Sequence, residues 1–261
     1  MKKIKKSMGP NDLTVYGQTS PNGNWNSFRN HNGGVSYRNL RNLIFSTQGG
    51  LCAYCEANVS ERPESRKRIE HFHPKSDQSN HLINWSLDWG NVFGVCIGGD
   101  DSNKTAHPRP KNLSCDSHKN HLASSDSSLE KPEGNVLNPL DMVVGPCLFS
   151  LNRATGELEA DENACRSVTL PENNYSSTYE LVSSTIKILN LNCDRLNEQR
   201  LRILIHYNQQ VAKSRRNHDR DYKSKLATRW FNKKWPSFFS TRRILLGKFA
   251  ESYLNATSYD G

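Results

Sequence analysis

Long apolar runs are missing from this 261-residue chain. Nothing approaches the roughly 18 consecutive apolar residues a membrane-spanning helix requires, which excludes such a span. Hydrophobic residues are also scarce overall, at 34%, so much loop and polar surface is expected. Lys2, Lys3, Lys5 and Lys6 imitate the start of a signal peptide, but the apolar segment that should follow is absent: Ser7 to Asp12 is polar. Secretion is therefore not expected, and the chain reads as cytoplasmic. No internal repeat and no extended low-complexity tract is present. Acidic excess is lacking too, since 35 Lys and Arg face 26 Asp and Glu, for a formal charge of +9. That balance favours a polyanionic partner, nucleic acid before acidic small molecules. The length allows one domain with a sizeable core or two unequal ones.

What is present divides along the chain. Residues 1–50 read as an irregular polar lead-in that ends in a helix: Tyr37, Leu40, Leu43 and Ile44 recur at helical spacing, and Gly49-Gly50 stops the run. Residues 51–122 hold the candidate metal ligands. Residues 123–178 read as a linker, rich in Ser, Asp, Asn and Pro from Ser124 to Pro139, followed by a hairpin turning at Ala154-Thr155-Gly156. From 179 to 261 the pattern is helical. Leu181, Val182, Thr185, Ile186 and Leu189 form one stripe, and Leu196, Ile203, Leu204, Tyr207 and Val211 another, with Asn192 or Asp194 available as the cap between them. Between Arg195 and Lys248, fifteen Lys or Arg face Glu198, Asp219 and Asp221, interleaved with Tyr and Trp. A solvated helix face, a phosphate-binding surface and a docking face all fit that pattern.

Four of the seven cysteines follow metal-site logic in a compartment where disulfides are rare. Cys52-x-x-Cys55 forms a knuckle that aims two thiolates at one ion, and Cys96 and Cys115 can complete a four-thiolate zinc site. Such a site has no open position, so its zinc would be structural. Cys147, Cys165 and Cys193 read as small buried hydrophobes. Between the cysteine pairs lies Ile69-Glu70-His71-Phe72-His73-Pro74-Lys75. His71 suits deprotonation of water, since an unperturbed imidazole titrates near working pH. Glu70 is a hard oxygen ligand for Mg²⁺ or Mn²⁺, and Asp116, just past the last cysteine, can reach the same ion from a helix start. Alternation along a strand puts Ile69 with His71 and Glu70 with Phe72, and a bulge or the coming turn at Pro74 could bring Glu70 and His71 around one site.

The ordered series Cys52-x-x-Cys55, Glu70-His71-Phe72-x-Pro74-Lys75-Ser76, Trp89-Gly90-Asn91-Val92, Cys96 and Cys115-Asp116-Ser117-His118-Lys119 resembles the HNH endonucleases of the ββα-metal type. More narrowly, it resembles the PtuB family, the nuclease component of Septu anti-phage systems and of some retron defence systems. Asn135-Val136-Leu137-Asn138-Pro139-Leu140 and Thr185 to Asn192 carry the likeness onward to about Arg202. The resemblance implies an α+β fold, with a small ββα-metal nuclease core and structural zinc embedded in a largely helical protein. It implies His71 as general base and Glu70 where a metal-binding Asp usually stands. Asn91 would be the Asn that fixes the loop between strand and helix. Asp116 would stand at the last metal contact, with His118 as the competing candidate. Lys75 and Lys119 would meet substrate phosphate, and His73 would lie behind the site or on the surface. Ile97 to Ser114 is a long insertion for such a site, equally a substrate loop or a surface excursion.

The implied function is metal-dependent hydrolysis of a phosphodiester, DNA by default with RNA or tRNA also open. The implied partners are a PtuA-type ATPase and, in retrons, a reverse transcriptase with its RNA–DNA product, docked on the helical region from Tyr179. A non-catalytic zinc-ribbon binding module is the alternative reading.

Overall fold

Asparagine side chains start the chain's first two helices. In the computed structural model, which describes residues 1–100, 102–126, 129–232 and 235–261, Asn11 accepts the N–H groups of Leu13 and Thr14 to open α1 (Asp12–Thr19). Asn24 accepts Ser27 N–H to open α2 (Trp25–Asn30). Neither helix was expected within the polar lead-in. The expected third, α3 (Val35–Thr47), ends at Gly49 and Gly50, both at positive φ. Leu13, Tyr16, Trp25, Phe28, Leu40 and Ile44 of these helices form a cluster with Leu87 and Val92.

Strand β1 (Lys67–His71) pairs antiparallel with β2 (Val92–Cys96), Lys67 opposite Cys96 and His71 opposite Val92. Helix α3 reaches β2 through Gly94, where a Cβ would lie 2.8 Å from Phe45. Gln48 fills the gap reciprocally: its amide donates to Gly94 O at 2.8 Å and accepts Gly94 N–H at 2.8 Å. Helix α4 (Cys115–Ala123) then packs on β2. The hairpin appears as β3 (Phe149–Leu151) and β4 (Leu158–Ala160), with Gly156 at φ +79 in its turn.

Helices α5 (Glu162–Arg166), α6 (Thr178–Ile188), α7 (Asp194–Arg216), α8 (Tyr222–Phe231), α9 (Phe239–Leu246) and α10 (Lys248–Ala256) follow. Both helical stripes face the large core, with Leu181, Val182, Leu196, Ile203 and Leu204 buried. Neither proposed cap performs that task. Cys193 occupies the position before α7 without a side-chain bond, and Asn192 instead brackets Leu158, accepting its N–H and donating to its carbonyl. Arg200, fully buried on α7, donates to the carbonyls of Gly156 and Leu191, so one guanidinium ties the hairpin to the α6–α7 turn.

The stretch read as a linker is anchored at its far end: Leu137 N–H donates to Thr185 Oγ1, and Val136 and Leu137 are buried. The insertion after β2 is stitched to the α6–α7 corner by Asn190, which donates to the carbonyls of Lys111 and Leu113, and by Arg195, which donates to Ser114 Oγ. Asp101, Ser127 and Ser128, and Lys233 and Lys234 among the fifteen basic residues, lie outside the described residues. No helix among the described residues is long and apolar enough to cross a membrane.

Candidate active site and metal centre

The four cysteines singled out by spacing converge. Cys52, Cys55, Cys96 and Cys115 are buried, with their sulfurs all within 4.8 Å of one another. Three pairs (Cys52–Cys115, Cys55–Cys96 and Cys96–Cys115) stand at 3.8 Å. A tetrahedron with metal–thiolate bonds of about 2.3 Å has edges of roughly 3.8 Å, so the donor set fits one tetrahedral ion. The thiols also crowd one another: hydrogen bonding from Cys52, Cys55 and Cys96 drives Cys115 well above the usual thiol range. Four thiolates can exist together here only around a cation. Gly98 N–H donates to Cys96 Sγ at 3.4 Å, and a Cβ on Gly98 would lie 2.4 Å from Ser114 O. That turn admits glycine alone.

The second half of the site is a cleft of about 490 Å³ lined by β1, α2 and α4, with Glu70, His71, Lys75 and Lys119 among its walls. His71 Nε2 lies 3.2 Å from Ser86 O. A carbonyl can only accept, so the ring proton sits on Nε2 and the Nδ1 lone pair is free. Burial is the main cause of a pKa lowered to about 4; Lys75, Lys119 and Lys6 push the same way, while the Ser86 bond opposes them. His71 is thus neutral at working pH, as a proton acceptor must be. Trp25 meets this ring edge-on, centroids 4.4 Å apart at 87°.

Glu70 is paired with Lys119 and hydrogen-bonded to Asp116. Burial, reinforced by Asp116 and opposed by Lys119, raises the Glu70 carboxyl to about 8. Asp116 is buried beneath the cleft and accepts Asn120 Nδ2 at 2.8 Å. Near these two acids Tyr54, inside the Cys52–Cys55 knuckle, has a buried hydroxyl without a partner among the described residues. Two adjoining carboxyls, one of them held neutral, and a buried hydroxyl are a donor set that suits a hard cation. Within the described residues the cysteines form the one group of three or more such ligands able to share an ion; Glu70 and Asp116, hydrogen-bonded to each other, are a pair only.

The remaining candidates fall elsewhere. His118 Nδ1 lies 2.8 Å from Ile188 O, so its ring is turned toward α6 and does not line the cleft. Asn91 is buried and pins the loop between the two strands, not the one between strand and helix: it donates to the carbonyls of His73 and Trp85 and accepts His73 N–H at 2.6 Å. His73 lies behind the cleft, its ring nitrogens 2.6 and 2.8 Å from Glu133 and Asp77 and its face stacked on Trp85. Trp25 and the Ser86 carbonyl were missed. An aromatic in a polar lead-in and a backbone oxygen give no motif; only the fold aims them at His71.

No family model matches the chain. A curated protein of Escherichia coli named "Retron Ec83 putative HNH endonuclease" is 34% identical over 263 residues, spanning 98% of this chain and 99% of the relative. The chain belongs to the HNH endonuclease family. At that identity over nearly full length the likeness extends past the cleft to the segments that form the C-terminal helices of this endonuclease. The reading as a non-catalytic zinc ribbon falls with that finding.

Proposed function

We propose that this endonuclease is the toxic effector of a cytoplasmic anti-phage defence complex, hydrolysing phosphodiester bonds with His71 as base, Glu70 and Asp116 as ligands of a catalytic Mg²⁺ or Mn²⁺, and a structural zinc on the four cysteines. The observation that carries it is the meeting of Glu70, His71 and Lys119 in one cleft. Strands β1 and β2 with α4 form its ββα-metal core. When bound, the divalent ion supplies charge stabilisation at the phosphate and the leaving oxygen. His71 Nδ1 accepts the proton of the attacking water as the phosphorus–oxygen bond breaks, with Ser86 and Trp25 holding the ring in that orientation. Lys119 and Lys75 meet phosphate oxygens, and Asn91 keeps the loop under His71 in place. Asp116, not His118, is the last metal ligand, because it is the group that touches Glu70. DNA is the family-level default as substrate, and RNA, tRNA included, is the competing one.

The retron origin of the relative supports a place beside a reverse transcriptase and its RNA–DNA product. The PtuB likeness supports a PtuA-type ATPase as the restraining partner, docked on residues 179–261. His71→Ala in the assembled, activated complex should lower cleavage of labelled DNA and total RNA by about 10²–10⁴-fold with the fold intact. Undiminished cleavage rejects His71 as base, and the preferred nucleic acid identifies the substrate.

A further inference from the structure

The elbow between α7 and α8 holds a second concavity, about 360 Å³ in volume, that shares no residue with the cleft. Lys213, Tyr222, Lys225 and Arg229 line it together with Gln210 and Asn217. From Lys213 to Arg229 seven Lys or Arg face only Asp219 and Asp221. Asp219 is taken by Lys225 at 2.9 Å, and Lys213, Arg215, Arg216 and Arg220 are exposed without a carboxylate partner among the described residues.

Two features separate this patch from an ordinary solvated face. Cations at the end of α7 agree with the helix dipole, but Lys223 and Lys225 sit in the first turn of α8 against the dipole, with Asp221 at the N-cap as the one acid there. The large exposed hydrophobics, Met8, Val15, Val35, Leu82, Ile83, Tyr179 and Ile205, all lie outside residues 210–230. A protein interface needs an apolar or aromatic anchor at its centre; here the one half-buried aromatic in the concavity is Tyr222, ringed by cations. Guanidinium groups in numbers, with an aromatic face among them, match phosphate oxygens and a stacked base.

We propose that the α7–α8 elbow is a binding site for single-stranded nucleic acid, gripping its phosphodiester backbone with Lys213, Arg215, Arg216, Arg220 and Arg229 and stacking a base on Tyr222. The strand held there is a second contact, apart from the one in the cleft.

The full metal-loaded chain, carrying His71→Ala to prevent cleavage, tests this by fluorescence anisotropy with labelled single-stranded DNA and RNA of about 20 nucleotides over a range of salt. Replacing exposed Lys213, Arg216 and Arg220 by Glu should weaken binding at least tenfold near 0.1 M salt and flatten the log–log salt slope by about 2, at roughly 0.7 per lost phosphate contact. The same charge change at exposed Lys104, Lys187 and Arg38, remote in sequence from the elbow, controls for net charge. Tyr222→Ala should weaken binding with little change of slope. Loss with either sugar supports the site, and the two arms show which strand is held. Affinity and slope equal to those of the charge-matched control in both arms, or loss confined to an acidic protein partner, overturn it. Cleavage and its dependence on His71 are read separately, so this site can fail while the cleft reading stands.

Discussion

At Glu70, burial and Asp116 both oppose ionisation while Lys119 favours it, and the carboxyl is left at about 8. A folded value above the ordinary carboxyl range means that the folded state holds a proton the unfolded chain releases. In metal-free protein that group therefore costs stability as pH rises toward 8. A divalent ion must displace the same proton, so metal affinity should climb with pH by up to about tenfold per unit until it levels near 8. Mn²⁺ titrations of the full chain between pH 6 and 9 check this, and an affinity independent of pH removes Glu70 from the ligand set. That Glu70, His71 and Lys119 belong to one place was legible because their spacing and their cysteine frame form a pattern in one dimension. The different surroundings of Asp116 and His118 were not, because both lie on one helix and only the packing of α4 turns His118 to Ile188 and Asp116 toward Glu70.

Among the elements, the strand pair is held from behind by α3, and its register depends on a residue with no side chain. Gly94 lets Phe45 and Ile44 lie against β2 while Gln48 completes the hydrogen bonding of its peptide unit. Gly94→Ala should cost about 1–3 kcal/mol by forcing Phe45 outward. A urea midpoint equal to that of the unaltered chain would show that α3 can yield. The hairpin and the α3, α6 and α7 stripes were legible because their apolar residues recur with a definite period. Helices α1 and α2 were not: both are short, and the Asn residues that cap them also signal irregular loops. The insertion after β2 became assignable only when its contacts with the α6–α7 corner were seen.

At the scale of the molecule, the four-cysteine cluster joins segments more than sixty residues apart, and buried Tyr54, within its Cys52–Cys55 knuckle, feels the charge of both the cysteines and Glu70 and Asp116. Cys115→Ser, or stripping with a strong chelator, should abolish tight zinc binding and cleavage together and broaden thermal unfolding; zinc, and not added Mg²⁺, should restore the stripped protein. Full activity with less than one zinc per chain would reduce the centre to a packing feature. The knuckle is also backed from far along the chain. Glu56, at positive φ just after Cys55, is buried and accepts the backbone N–H and hydroxyl of Ser240, and its carbonyl accepts Phe238 N–H. Synthesis supplies the four cysteines, Glu70, His71 and Asp116 well before Ser240 emerges from the ribosome. Until then the Glu56 carboxylate lacks both Ser240 donors and keeps only the Met1 ammonium 3.4 Å away, so a nascent or truncated chain is expected to carry the groups of the cleft without the contacts that back the Cys52–Cys55 knuckle.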